Sequence, residues 1–261
     1  MGSATASIAQ YTSRSKALDI SGVAWDEIGR HPLPDSVVRT LRYMQDIESH
    51  TIVYLRELLA TRAIDDPEVA TFLACWFYEE TFHGRALARF LEEAGHSITP
   101  RIRSRESIRK RVESFAISGI ARVWRDFVAV HMSWGAINEL TTLIGYQRLI
   151  EVARHPVLED LLSRIIKDES RHFGFYFQQA EKRLTSRGAV RVTRELIRRF
   201  WAPVGSGVQP DSEVRFLISY LFSGSEGRAA ADRIDATIET LPGMGGLRLL
   251  ESWVGRAGAA Q

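Results

Sequence analysis

Apolar residues recur at helical spacing along most of this chain, and strand-period alternation of useful length is absent. Four long stretches carry the helical pattern. The first opens at Pro34-Asp35 and is expected to run to about Arg62, with Leu41, Met44, Ile52 and Leu55 inward and Glu48 within the same apolar stripe. The second opens at Asp66-Pro67, an N-cap followed by proline at the first helical position, and is expected to reach Ala94 before the C′ glycine Gly95. Its roughly 28 residues at 1.5 Å each span about 42 Å, a bundle length. The third starts between about Ser107 and Ala121 and ends near Arg154, before the break at His155-Pro156. The fourth runs from Val157 to about Thr185. Shorter patterns follow at 189–201, 211–223, 226–240 and 246–255, some separated by Gly/Pro-rich joints. The prediction is an all-α fold: an irregular arm over 1–33, a four-helix bundle core over 34–187, and additional C-terminal helices over 188–261 packed on the same domain.

Composition narrows this picture without changing it. Hydrophobic residues make up 45% and charged residues 25%, ordinary values for a globular chain. A net charge of +2 is too small to imply a nucleic-acid partner. Cys75 is the only cysteine, which excludes intramolecular disulfides and multi-cysteine zinc sites and fits a reducing cytoplasm. The first twenty residues lack an apolar signal core, and charges interrupt every apolar run before membrane-spanning length. Cytoplasmic localisation is the expectation.

Two of the four long helices each carry a Glu-x-x-His pair, Glu80/His83 and Glu169/His172. Residues i and i+3 share a helix face, so each pair presents an oxygen and a nitrogen to one interior point. Glu48 and Glu139 lie on the other two helices. Four carboxylates and two imidazoles in this order form the ligand set of a di-iron or di-manganese bundle. Carboxylate and imidazole ligands suit iron that reacts with dioxygen, and manganese also fits them. With 20 Glu and 7 His in 261 residues, chance supplies about half an E-x-x-H match. There are three, and the third, Glu93/His96, spans Gly95 at a helix end and is set aside. The competing account is a set of salt-bridged surface carboxylates.

The neighbours of these residues suggest supporting roles. Glu79 and Asp168 each precede a ligand glutamate, and each is either a partner for the second nitrogen of the opposite motif's histidine or a solvent-exposed carboxylate. Trp76, one turn before Glu80, is a packing residue or an aid to electron transfer. Gly135 leaves space one turn before Glu139. Thr142, one turn after it, is either bonded back to its own helix or a hydroxyl beside bound oxygen. His50, His31, His96, His131 and His155 are read as structural or surface residues.

The segments Trp76-Phe-Tyr-Glu-Glu-Thr-Phe-His-Gly84 and Lys167-Asp-Glu-Ser-Arg-His172 resemble motifs of the soluble acyl-carrier-protein desaturases. Ile47-Glu48 with Tyr54, and Asn138-Glu-Leu-Thr-Thr142, resemble that family's first- and third-helix ligand regions. The resemblance covers roughly residues 38–185. It implies a ferritin-like di-iron bundle, usually a homodimer, that takes electrons from a ferredoxin-type donor and uses dioxygen to oxidise an acyl chain on acyl carrier protein. Carried over, the metal ligands are Glu48, Glu80, His83, Glu139, Glu169 and His172, with Thr142 near the oxygen site. The basic residues Arg101, Arg103, Arg105, Arg109, Lys110 and Arg111 are either a solvated face or a dock for the acidic carrier.

Other di-iron bundles fit less well. The C-terminal extension is foreign to storage ferritins, and one cysteine cannot build the four-cysteine iron site of rubrerythrins. Leu87 stands where a ribonucleotide reductase small subunit has its radical tyrosine, and Ile165 where an arylamine N-oxygenase has an extra histidine. Oxygenation of a nitrogen or small metabolite remains the alternative to desaturation.

Overall fold

The structure is a computed structural model that describes residues 8–98 and 127–259. A short helix α1 (Ile8–Thr12) and a 3-10 turn (Trp25–Arg30) precede the bundle. The bundle comprises α2 (Asp35–Ser49), continued by α3 (Thr51–Leu59), then α4 (Pro67–Glu93), α5 (Phe127–Ala153) and α6 (Pro156–Arg183). The pairs α2/α4 and α5/α6 pack lengthwise, and α4 also meets α6. Then come α7 (Arg187–Phe200), α8 (Asp211–Phe222), α9 (Gly224–Ile238) and α10 (Leu249–Ala259). The fold is all-α, and among the described residues no helix is long and apolar enough to cross a membrane.

Local chemistry accounts for the long helices' ends. Asp66 accepts from the backbone N–H groups of Glu68 and Val69 at the start of α4, with Pro67 where no donor is needed. At its other end Gly95 takes φ 80°, and the N–H groups of Gly95 and His96 reach back to Glu92 O and Leu91 O. Glu93 and His96 therefore straddle the helix end and share no helical face. His155, read as structural or surface, caps α6 by accepting from Leu158 N at 3.2 Å.

The first long helix departs from expectation. It breaks at His50, and its continuation ends at Leu59 rather than near Arg62. Three adjacent side chains compete for backbone acceptors there: Ser49 Oγ donates to Gln45 O, His50 Nδ1 lies 2.6 Å from Asp46 O, and Thr51 Oγ1 donates to Glu48 O. The break changes the helical phase, so Ile52, expected inward, is 50% exposed. Leu41, Met44 and Leu55 are buried.

The C-terminal helices build a second layer on α5, contacted by α7, α8 and α9, while α10 packs on α8 and α9. Arg148 on α5 donates to Leu221 O at 3.0 Å, and Arg39 on α2 forms a two-pronged pair with Glu213 on α8. These ties hold α8 across the gap between α2 and α5.

Candidate metal centre

Glu48, Glu80, His83, Glu139, Glu169 and His172 all point to the bundle centre, each no more than 6% exposed. Their atoms fall into two groups, Glu48/Glu80/His83/Glu169 and Glu80/Glu139/Glu169/His172, each with its donor atoms within 4.8 Å of one another. Glu80 and Glu169 belong to both. His83 Nδ1 lies 3.2 Å from Glu169 Oε1, and His172 Nδ1 lies 3.0 Å from Glu80 Oε1. The imidazole centroids are 5.8 Å apart.

The donor set fits metal ions. Both Nδ1 atoms and both Glu169 oxygens are buried without hydrogen-bond partners, a costly state for polar atoms facing one point. The opposite nitrogens are held from outside. His83 Nε2 lies 3.2 Å from Asp168 Oδ2, and His172 Nε2 lies 2.7 Å from Glu79 Oε2. Each histidine is thus oriented by the acid of the other motif, leaving Nδ1 free to bind.

Several outer contacts were not anticipated. Arg171 ties the two acids together, donating to Glu79 Oε1 from both terminal nitrogens at 3.2 Å and to Asp168 Oδ1. Tyr11 donates to Glu79 Oε2 at 2.9 Å. Tyr146 donates to Glu48 Oε1. Trp76 Nε1 donates to Glu139 Oε1 at 3.1 Å, so its indole does more than pack. Gly135 serves a neighbour rather than open space: a Cβ there would sit 2.3 Å from the Tyr176 ring.

Electrostatics divides the carboxylates. Burial first, then the charge of Glu80, pushes Glu48 well above the usual carboxylate range, and burial with Glu169 does the same to Glu139. Burial also opposes charge on Glu80 and Glu169, but the groups facing them outweigh it and both stay low: Glu48, His172 and His83 act on Glu80, and the two nearby imidazoles on Glu169. Desolvation disfavours charge on His83 and His172, yet the surrounding acids raise both well above the ordinary imidazole value. The shifts therefore run in opposite senses within one cluster, favouring charge on Glu80, Glu169 and the two imidazoles and the protonated form of Glu48 and Glu139.

A cavity of about 530 Å³ opens beside the cluster. Glu48, Glu80, Glu139 and Glu169 line one end, together with Thr142. Met44, Leu217, Ile218, Leu221 and Phe222 give it an apolar wall. The loop after α7 also lines it, pinned where Tyr43 donates to Val204 O at 2.5 Å. Gly205 follows at φ 93°, and any Cβ there would strike the Tyr43 hydroxyl. His50 lines this cavity as well. The basic residues Arg101 to Arg111 lie outside the described residues.

A helical bundle that buries this donor set belongs to the ferritin-like dimetal carboxylate class. A sequence model of the fatty acid desaturase family matches residues 51–204, and the chain belongs to that family. No curated protein matches the chain. The match begins just after Glu48 and ends in the loop before α8, so that glutamate and the α8 wall lie beyond it. The family implies iron, and family and buried cluster together make the chain a di-iron type of oxidoreductase.

Proposed function

We propose that the chain desaturates an acyl group carried on acyl carrier protein, using dioxygen and electrons from a ferredoxin-type donor. The carrying observation is the cavity, whose lining brings the four cluster carboxylates and an apolar wall together in one space. Its size falls within the ordinary range for ligand pockets, roughly 300–1,000 Å³. An alkyl chain gains by burial there at about 0.8 kcal/mol per CH₂.

In this reading Glu48, Glu80, His83 and Glu169 would hold one iron and Glu80, Glu139, Glu169 and His172 the other, with Glu80 and Glu169 common to both groups. The bound irons supply the site where dioxygen is reduced. Two hydrogens leave adjacent carbons as a double bond forms. The substrate gives two electrons and the donor two, which with two protons from solvent reduce dioxygen to two waters. Apolar side chains hold the alkyl segment beside the cluster and keep bulk water away. Thr142 Oγ1, on the helix that presents Glu139, offers a hydrogen bond beside the reacting atoms. Glu79 and Asp168 hold the two imidazoles in their binding orientation, and Trp76 fixes Glu139.

Incubation with acyl carrier protein bearing a saturated acyl chain, a reduced ferredoxin and dioxygen tests the reading. Mass spectrometry should show a loss of two hydrogens that depends on both oxygen and reductant. A gain of one oxygen on an amine, with no acyl product, would replace desaturation by nitrogen oxygenation.

A further inference from the structure

Tyr11 stands far from the cluster in sequence, on α1, yet it reaches the cluster's outer layer. Its side chain is 6% exposed, and its ring sits in an aromatic seat, 5.0 Å from Phe72 and 5.8 Å from Phe175 by centroids. The Arg171 guanidinium lies 5.4 Å over the same ring. Its hydroxyl donates to Glu79 Oε2, the same oxygen that faces His172 Nε2. Glu79 is wholly buried, and its other oxygen is taken by Arg171. Every donor to this carboxylate therefore matters, because a buried acceptor that loses a partner cannot recruit bulk water.

The histidines differ in this respect. Asp168, behind His83, is partly exposed and pairs with Arg171 at the protein surface. Glu79, behind His172, is sealed by a residue of the N-terminal arm. The geometry points to Tyr11 as a positioning residue for His172, acting through Glu79, so that docking of α1 and metal retention in the His172 half are thermodynamically linked. This rests on the metal assignment proposed above. Linkage is reciprocal: if the docked arm strengthens metal binding, bound metal strengthens arm docking by the same factor.

The test compares the full-length protein with Tyr11→Phe, which keeps the ring in its seat and removes only the hydroxyl. Both are loaded anaerobically with ferrous iron, and release to a chelator is followed. Wild type should release both irons slowly. The variant should release one of the two about tenfold faster, the lower end of what disturbing a ligand's outer hydrogen-bond partner costs. Mössbauer spectra should show one iron site altered and the other unchanged. Thermal melting of the metal-free proteins checks that the substitution leaves the fold intact. An independent measurement needs no variant: in wild type, hydrogen exchange across residues 8–15 should slow on iron loading. If wild type holds two irons but arm exchange ignores them, and the variant matches wild type in release and spectrum, the linkage is wrong and the metal assignment survives. Failure of wild type to hold iron would overturn both.

Discussion

Loading the empty cluster with metal should expel protons, and the structure sets how many. His83 and His172 are raised well above the ordinary imidazole value, so both are charged near neutrality in the empty site. Glu48 and Glu139 are pushed up by burial and by neighbouring carboxylates, which favours their protonated forms. A metal ion requires neutral imidazole and ionised carboxylate, so all of these protons must leave. Two divalent ions carry the same charge as the protons they displace, and the buried cluster stays neutral throughout. The expectation is release of about four protons per chain on binding two ferrous ions at pH 7. Acid should therefore weaken loading, with the overall constant for the pair falling by roughly four decades per pH unit lost. Anaerobic calorimetry in two buffers of different ionisation heat gives the count, and an indicator dye in weak buffer checks it. Release of only about two protons would mean that the carboxyls were already ionised before metal bound, which refutes the charge balance described here.

The same shifts give the metal-free protein a pH-dependent stability. The two imidazoles contribute fully below their ordinary value of about 6.5, and that contribution is lost as pH rises through their raised folded-state values. Melting of the empty protein should therefore fall on the alkaline side, and equal melting temperatures at pH 6 and pH 9 would contradict this. His83→Ala and His172→Ala should each reduce bound iron from two equivalents toward one by metal analysis, and retention of two would remove the histidine from the ligand set. Gly135→Ala should cost about 1–3 kcal/mol in denaturant unfolding, because its Cβ overlaps the buried Tyr176 ring; an unchanged midpoint would show that the ring moves freely. At Gly145 a Cβ meets Met44 and Leu221 at ordinary distances of 3.7 and 3.9 Å, so Gly145→Leu should fold and fill the cavity. Product profiles should then shift to shorter acyl chains with iron content unaltered, and an unaltered profile would place the alkyl chain elsewhere.

The helical architecture was legible because helical periodicity and end signals are local. Asp66-Pro67 and Gly95 mark the ends of α4 by backbone chemistry that needs no partner helix. The i, i+3 spacing of Glu80/His83 and Glu169/His172 likewise fixes a shared face within one turn. What escaped depends on packing between distant segments. Nothing in the arm's sequence says that Tyr11 meets Glu79. Tyr146 was closer to hand, two turns beyond Glu139 and one beyond Thr142 on the same face, but its partner Glu48 lies on another helix. The break at His50 had a local signal in consecutive Ser49, His50 and Thr51, each able to bond a carbonyl of the preceding turn. The apolar periodicity on either side masked it.

The cavity has two walls of different origin along the chain. The charged wall comes from the bundle helices, whose carboxylates depend on one another for charge balance, so a change at one disturbs all. The apolar wall comes largely from α8, where Leu217, Ile218, Leu221 and Phe222 make no polar commitments to the cluster. That helix is held in place by Arg148 and Arg39, anchors that do not involve the cavity-facing side chains. If the cavity takes the acyl group as proposed, selectivity and reactivity are therefore separable traits in this molecule. One short helix can be re-sculpted, residue by residue, to admit a different guest while the oxidising machinery is inherited whole.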